Sequence, residues 1–116
     1  MSHQAYQSTQ RITEDPRGTE YRLFGQVTGA LIEAQKQGIK GGPLAEAVDW
    51  NRRLWGTLAA DCMDDRNRLP KEVRAQIVSL SLWVTRYSKQ VTRKGASMDP
   101  LIEVNRTIMQ GLQGAA

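Results

Sequence analysis

Residues Pro70–Lys94, PKEVRAQIVSLSLWVTRYSKQVTRK, decide the fold. Proline provides a helix start, because its fixed φ suits a first turn in which no amide donor is required. Val73, Ile77, Leu80, Val84, Tyr87 and Val91 then recur at spacings of four and three. That is the stripe of a helix packed on other helices, not the alternation of a strand. Lys94-Gly95 supplies the stop. Val78 and Leu82 fall on nearly the opposite side, with Trp83 between the two faces. A helix apolar on both sides is either central in its bundle or covered by a partner.

Three more helical patterns surround this one. The first opens at Asp15-Pro16 and stops near Gly38, with Leu23, Phe24, Val27, Ala30, Leu31 and Ala34 on one face. Gly18, Gly25 and Gly29 weaken it: either the close pair Gly25 and Gly29 admits a neighbouring backbone, or packing simply rescues the helix. The second runs from Gly42-Pro43 to about Met63, with Leu44, Val48, Asn51, Trp55, Leu58, Ala59 and Cys62 in one stripe. The last repeats the cap-then-proline device at Asp99-Pro100 and carries Leu101, Val104, Asn105, Ile108 and Leu112 on a face. No segment alternates with a period of two. The expected fold is therefore all-α: a compact, mainly antiparallel four-helix bundle over residues 15–112. A flexible or short helical segment, 1–14, precedes it, and a disordered tail, 113–116, follows.

Composition limits the function classes. A chain of 116 residues has room for one domain with a modest core. Sixteen basic against twelve acidic residues give +4, compatible with an acidic partner or RNA. Read along the sequence the charge is dispersed, with short pairs such as Arg52-Arg53 and Arg93-Lys94. It predicts a solvated mixed-charge surface rather than an RNA footprint. No apolar run is long enough to span a bilayer, so no membrane insertion is expected. The polar N-terminus lacks the apolar centre of a secretory signal, which points to the cytoplasm.

Catalytic and metal chemistry find no foothold. Cys62 lies on the apolar stripe of its helix, far in sequence from the sole histidine, His3, so it reads as a buried structural thiol. Asp61, Asp64 and Asp65 lack the alternate-position ligands and central glycine of a calcium loop. Gly41-Gly42 lacks the strand and lysine of a phosphate-binding loop. The expectation is a protein with no catalytic residues, no cofactor and no metal.

The remaining signals are aromatic and amide. All three tryptophans fall between residues 50 and 83. Trp55 sits in the stripe and reads as core. Trp50 and Trp83 lie off the main stripes and, with Val78 and Leu82, are the expected partner-binding surface. Asn51 and Asn105 occupy stripe positions, where an amide must find partners. Either they fix helix register as core polar residues, or they face a groove and bond a captured segment.

The whole pattern resembles the FlaF family of flagellar biosynthesis regulators from alphaproteobacteria. The resemblance runs through Ala5-Tyr6, Pro16-Arg17 and Glu20-Tyr21-Arg22-Leu23-Phe24, then Trp50-Asn51-Arg52-Arg53-Leu54-Trp55. It continues through Asn67-Arg68-Leu69-Pro70, the Ile77–Val84 helix and Leu101 to Leu112. It implies a cytoplasmic protein required for flagellin synthesis and secretion. The implied partners are flagellin, an FlbT-type regulator and, indirectly, flagellin messenger RNA. The resemblance implies a chaperone or adaptor that captures a flagellin helix in an apolar groove. The competing expectation is a post-transcriptional regulator that acts with FlbT or binds RNA itself. Neither the residues nor the resemblance assigns an oligomeric state.

Overall fold

A computed structural model describes residues 16–114, and side chains from 18 to 111. The expected N-terminal segment, the Asp15 cap and the end of the tail lie outside the described residues, as does the side chain of Leu112. Four helices follow one another: α1 Pro16–Lys36, α2 Gly41–Cys62, α3 Lys71–Lys94 and α4 Asp99–Gly114. Among the described residues there is no strand, as expected.

The helix ends follow local chemistry. Gly38, at φ 62°, closes α1 in a Schellman arrangement: Ile39 N–H donates to Ala34 O at 3.0 Å, and Gly38 N–H to Gln35 O at 3.2 Å. Gly95, at φ 69°, ends α3 in the left-handed conformation that glycine adopts without a Cβ clash. Between α2 and α3, Asn67 does two jobs. Its Nδ2 donates to Asp61 O at 3.0 Å and its Oδ1 accepts Leu69 N–H at 2.9 Å, which aims the chain into Pro70.

The start of α4 differs from the expected Asp99 cap. Ile102 N–H already reaches Met98 O at 3.0 Å, so Asp99 belongs to the first helical turn. The Ser97 hydroxyl accepts Asp99 N–H at 3.1 Å, and the Asp99 carboxylate accepts Gln35 Nε2 at 2.6 Å. Asp99 thus ties the start of α4 to the end of α1, which makes those helices antiparallel.

Packing joins α1 to α2, α2 to α3 and α1 to α4, while α3 and α4 barely meet. The core comprises Phe24, Val27, Leu31, Val48, Trp55, Leu58, Ile77, Val84, Val91 and Leu101, all essentially without exposure. The Phe24 ring meets the Trp55 indole edge-on at 5.3 Å and 80°, a favoured aromatic geometry. The expected stripes are buried with shifts at their margins: Val73 is exposed, and Leu44, Leu80, Tyr87, Val104 and Ile108 are half-buried. No other helix brings its backbone within 4 Å of where a Cβ would stand at Gly25 or Gly29. A Cβ on Gly25 would meet only Met109 Cε at 3.9 Å, and one on Gly29 nothing within 4 Å.

At the centre lies an amide network. Trp55 Nε1–H donates to Asn105 Oδ1 at 2.7 Å. Asn105 Nδ2 donates to Asn51 Oδ1 at 2.7 Å and to Thr28 Oγ1 at 3.1 Å. Both asparagines are fully buried. The indole can only donate, so the Asn105 oxygen must face Trp55, and its nitrogen must turn to Asn51 and Thr28. Asn51 therefore accepts through its oxygen, and its own Nδ2 has no partner.

That asymmetry orders two substitutions. Asn105→Leu orphans the indole N–H and the Asn51 oxygen together, and is expected to cost about 3 kcal/mol. Asn51→Leu removes an amide that is itself half-unsatisfied, and is expected to cost about 1 kcal/mol. Urea midpoints at unchanged m-value measure both, and the reverse order would contradict this network.

Candidate docking surfaces on α2 and α3

The four residues expected to form a partner surface do not share one face. Trp50 is 38% exposed on α2 and Leu82 60% exposed on α3. Val78 and Leu82 are one helical turn apart on the same side of α3, with Val78 half-buried against the core. Trp83 follows Leu82 directly, so it projects about 100° away. It stacks on Tyr87 with centroids 5.0 Å apart and planes 14° from parallel. The Tyr87 hydroxyl in turn donates to Ser97 O at 2.7 Å. That pair of rings therefore belongs to the flank of α3 turned toward the connection into α4. The larger exposed apolar surface of α3 is the Val78–Leu82 side, with Val73 exposed separately in the first turn.

Helix α3 is also strongly basic. Lys71, Arg74, Arg86, Lys89, Arg93 and Lys94 face only Glu72 in this helix, so α3 holds +5 while the whole chain holds +4. Elsewhere the described residues conform to the expected mixed-charge surface. Asp49 pairs with Arg52 at 2.6 Å and with Arg53 at 3.1 Å, Asp64 with Arg66 at 2.8 Å, and Glu103 with Arg106 at 3.0 Å. The hydrogen bond from Arg52 foremost holds the Asp49 carboxyl below its ordinary range, and that from Arg66 does the same for Asp64. Among the described residues no ion pair involves α3. The reading of dispersed charge thus fails for this helix, because linear spacing hides what a common face collects.

Positions 71, 75, 78, 82, 86, 89 and 93 advance by four and three, the helical repeat. They form one outer stripe: Lys71, then apolar Ala75, Val78 and Leu82, then Arg86, Lys89 and Arg93. The three last cations are exposed and sit one turn from one another. The helical repeat that groups the apolar residues groups these basic ones too, and that spacing is their signal in the sequence. The C-terminal dipole favours Arg93 and Lys94 in the last turn, but not Arg86 or Lys89 further in.

Cys62 is buried, as its stripe position predicted. Burial foremost, with the nearby charges of Glu20 and Asp61, raises its thiol above the ordinary value. Among the described residues no group of three or more His, Cys, Asp or Glu is placed to hold a metal ion. No described helix is long and apolar enough to cross a membrane. A thiol held protonated by burial reacts slowly, because the thiolate is the nucleophile. Alkylation at mildly alkaline pH is expected to run roughly tenfold or more slower in the folded chain than in urea. The raised folded value also sets a sign: this contribution to stability is present below the unfolded thiol pKa. It is lost as pH rises through the folded value, so alkaline titration should lower the urea midpoint.

A family model described as "Flagellar protein FlaF" matches residues 2–112. No curated protein and no solved structure shows significant similarity to the chain. The match spans the amide network, the α2–α3 connection and the outer stripe of α3 together. The chain is therefore a member of the FlaF family of flagellar proteins.

Proposed function

We propose that this protein acts in the cytoplasm as a non-catalytic flagellin-binding chaperone or adaptor, required for flagellin synthesis and secretion. The observation that carries the reading is the second apolar side of α3. Leu82 is 60% exposed beside half-buried Val78 on a 24-residue helix, and nothing in the described chain covers it. A Leu in that position makes a natural seat for one face of an amphipathic helix, read as anchors at i and i+4. Flagellum-family membership makes flagellin the first ligand to test, and the FlbT-type regulator the second. Trp50 offers a separate contact on α2, and Trp83 borders the surface from the α4 flank.

The binding assay is direct. Purified flagellin is titrated with the wild-type chain and with Leu82→Asp, whose folding is checked by helicity. The substitution is expected to weaken binding roughly tenfold or more, as loss of a central apolar anchor does. Undiminished binding by the folded variant removes α3 from the site, and absent binding by the wild type removes flagellin as ligand.

One observation favours a second reading, a post-transcriptional regulator of flagellin messenger RNA, acting with FlbT or alone. That observation is the +5 of α3. Phosphate contacts release counterions, so direct RNA binding would fall steeply as salt rises. A steep salt slope for leader RNA on the isolated protein would put this reading first.

A further inference from the structure

The outer stripe of α3 has two chemically different halves, and this asymmetry specifies what fits it. After Lys71 in the first turn, Ala75, Val78 and Leu82 make its first half apolar, with Leu82 60% exposed. Arg86, Lys89 and Arg93 occupy the second, all exposed and none in an ion pair among the described residues. Neighbours three and four residues away offer no relief. Arg86 has Leu82, Trp83, Lys89 and Gln90 there, and Lys89 has Thr85, Arg86, Thr92 and Arg93. Like charges one turn apart disfavour the isolated helix. Helices α2 and α4 instead pair cations with carboxylates at that spacing, as Asp49 does with Arg52 and Arg53 and Glu103 with Arg106.

We propose that the outer stripe of α3 docks a helix whose face is apolar for about two turns and acidic for about the next two. The four-and-three spacing of the stripe is the spacing at which one helix lays a row of side chains against another. Apolar residues of the incoming helix cover Leu82 and Val78, and its carboxylates meet Arg86, Lys89 and Arg93. The charged half sets orientation: only one direction along α3 brings both halves into match, and it speeds encounter. A phosphate backbone would satisfy the three cations but would leave Leu82 without a partner. An anionic bilayer would call for large aromatic or leucine anchors along the whole face, and the basic half has none. This inference rests on the reading of α3 as the docking surface, and adds the charge pattern of what docks there.

The test uses the full chain, isotope-labelled for amide shift mapping, with three probes. They are a designed helical peptide carrying Leu residues followed by Glu residues on one face, the same peptide with Gln for Glu, and a single-stranded RNA of equal charge. The Glu peptide is expected to shift α3 amides and to bind about tenfold tighter than the Gln peptide at low salt, with the gap closing at high salt. The variant carrying Arg86→Gln, Lys89→Gln and Arg93→Gln should equalise the two peptides, its fold verified by helicity. Equal binding of both peptides to the wild-type chain, absence of α3 shifts, or tighter binding of the RNA would each overturn the proposal. Flagellin is run alongside. If flagellin binds the wild type and the triple variant alike, the charge pattern fails while the chaperone reading stands. If the Glu peptide docks on α3 and flagellin does not bind, the chaperone reading fails while the stripe stands.

Discussion

The amide of Asn105 is the constraint on which the rest of the bundle depends. It accepts from Trp55 on α2 and donates to Asn51 on α2 and Thr28 on α1, all out of water. Apolar contacts alone tolerate a slide of one helix past another, because Leu against Val is much like Leu against Ile. Three directed hydrogen bonds do not. A slip of one residue moves an amide by about 1.5 Å and turns it by about 100°, which breaks all three and leaves buried donors unpaired. The network is the more telling because α2 and α4 stand diagonally. Among the described residues no Cα of one comes within 8 Å of the other. Side chains alone join them, and an indole and an amide have the reach that this requires.

Helix α3 stands outside that network. It packs mainly on α2, through Ile77, Val84 and Val91, and it barely meets α4. Two serines, Ser81 and Ser88, are buried on its inner side, where the hydroxyls permit close packing but add no directed bond to another helix. The three-helix set of α1, α2 and α4 is thus keyed by hydrogen bonds, whereas α3 is held by apolar burial on one side. That arrangement settles the question raised by its two apolar sides. The helix is peripheral, and among the described residues nothing covers Leu82 on its outer stripe.

Much of this was legible along the chain. Gly38, Pro70 and Gly95 mark helix ends through backbone constraints that act within a few residues, and the observed ends fall within a residue or two of them. The inward stripes were legible because burial must recur with the helical repeat. Asn51 and Asn105 stood out as polar residues in those stripes. Thr28, Ser81 and Ser88 did not: short hydroxyl residues are ordinary on exposed helix faces, so their polarity concealed an interior position. The partner surface was legible only in part. Val78 and Leu82 share a side, but Trp83 turned out to be engaged with Tyr87, a contact that depends on Tyr87 being anchored to Ser97 in the next connection.

The sequence by itself determined four helices, their ends, their inward faces and the absence of any strand pattern, since each follows from forces between residues close along the chain. Family membership was legible in the same way, from ordered local motifs. Only the tertiary structure decided that two asparagines 54 residues apart share one hydrogen bond, that α4 barely meets α3, and that no described carboxylate forms an ion pair with the cations of α3. Those are relations between residues distant in sequence, and periodicity carries no information about which helix faces which. The physical reason is that hydrophobic burial is non-directional and sets only the inward face. Directed bonds and unmatched charges appear only once the helices have taken their places.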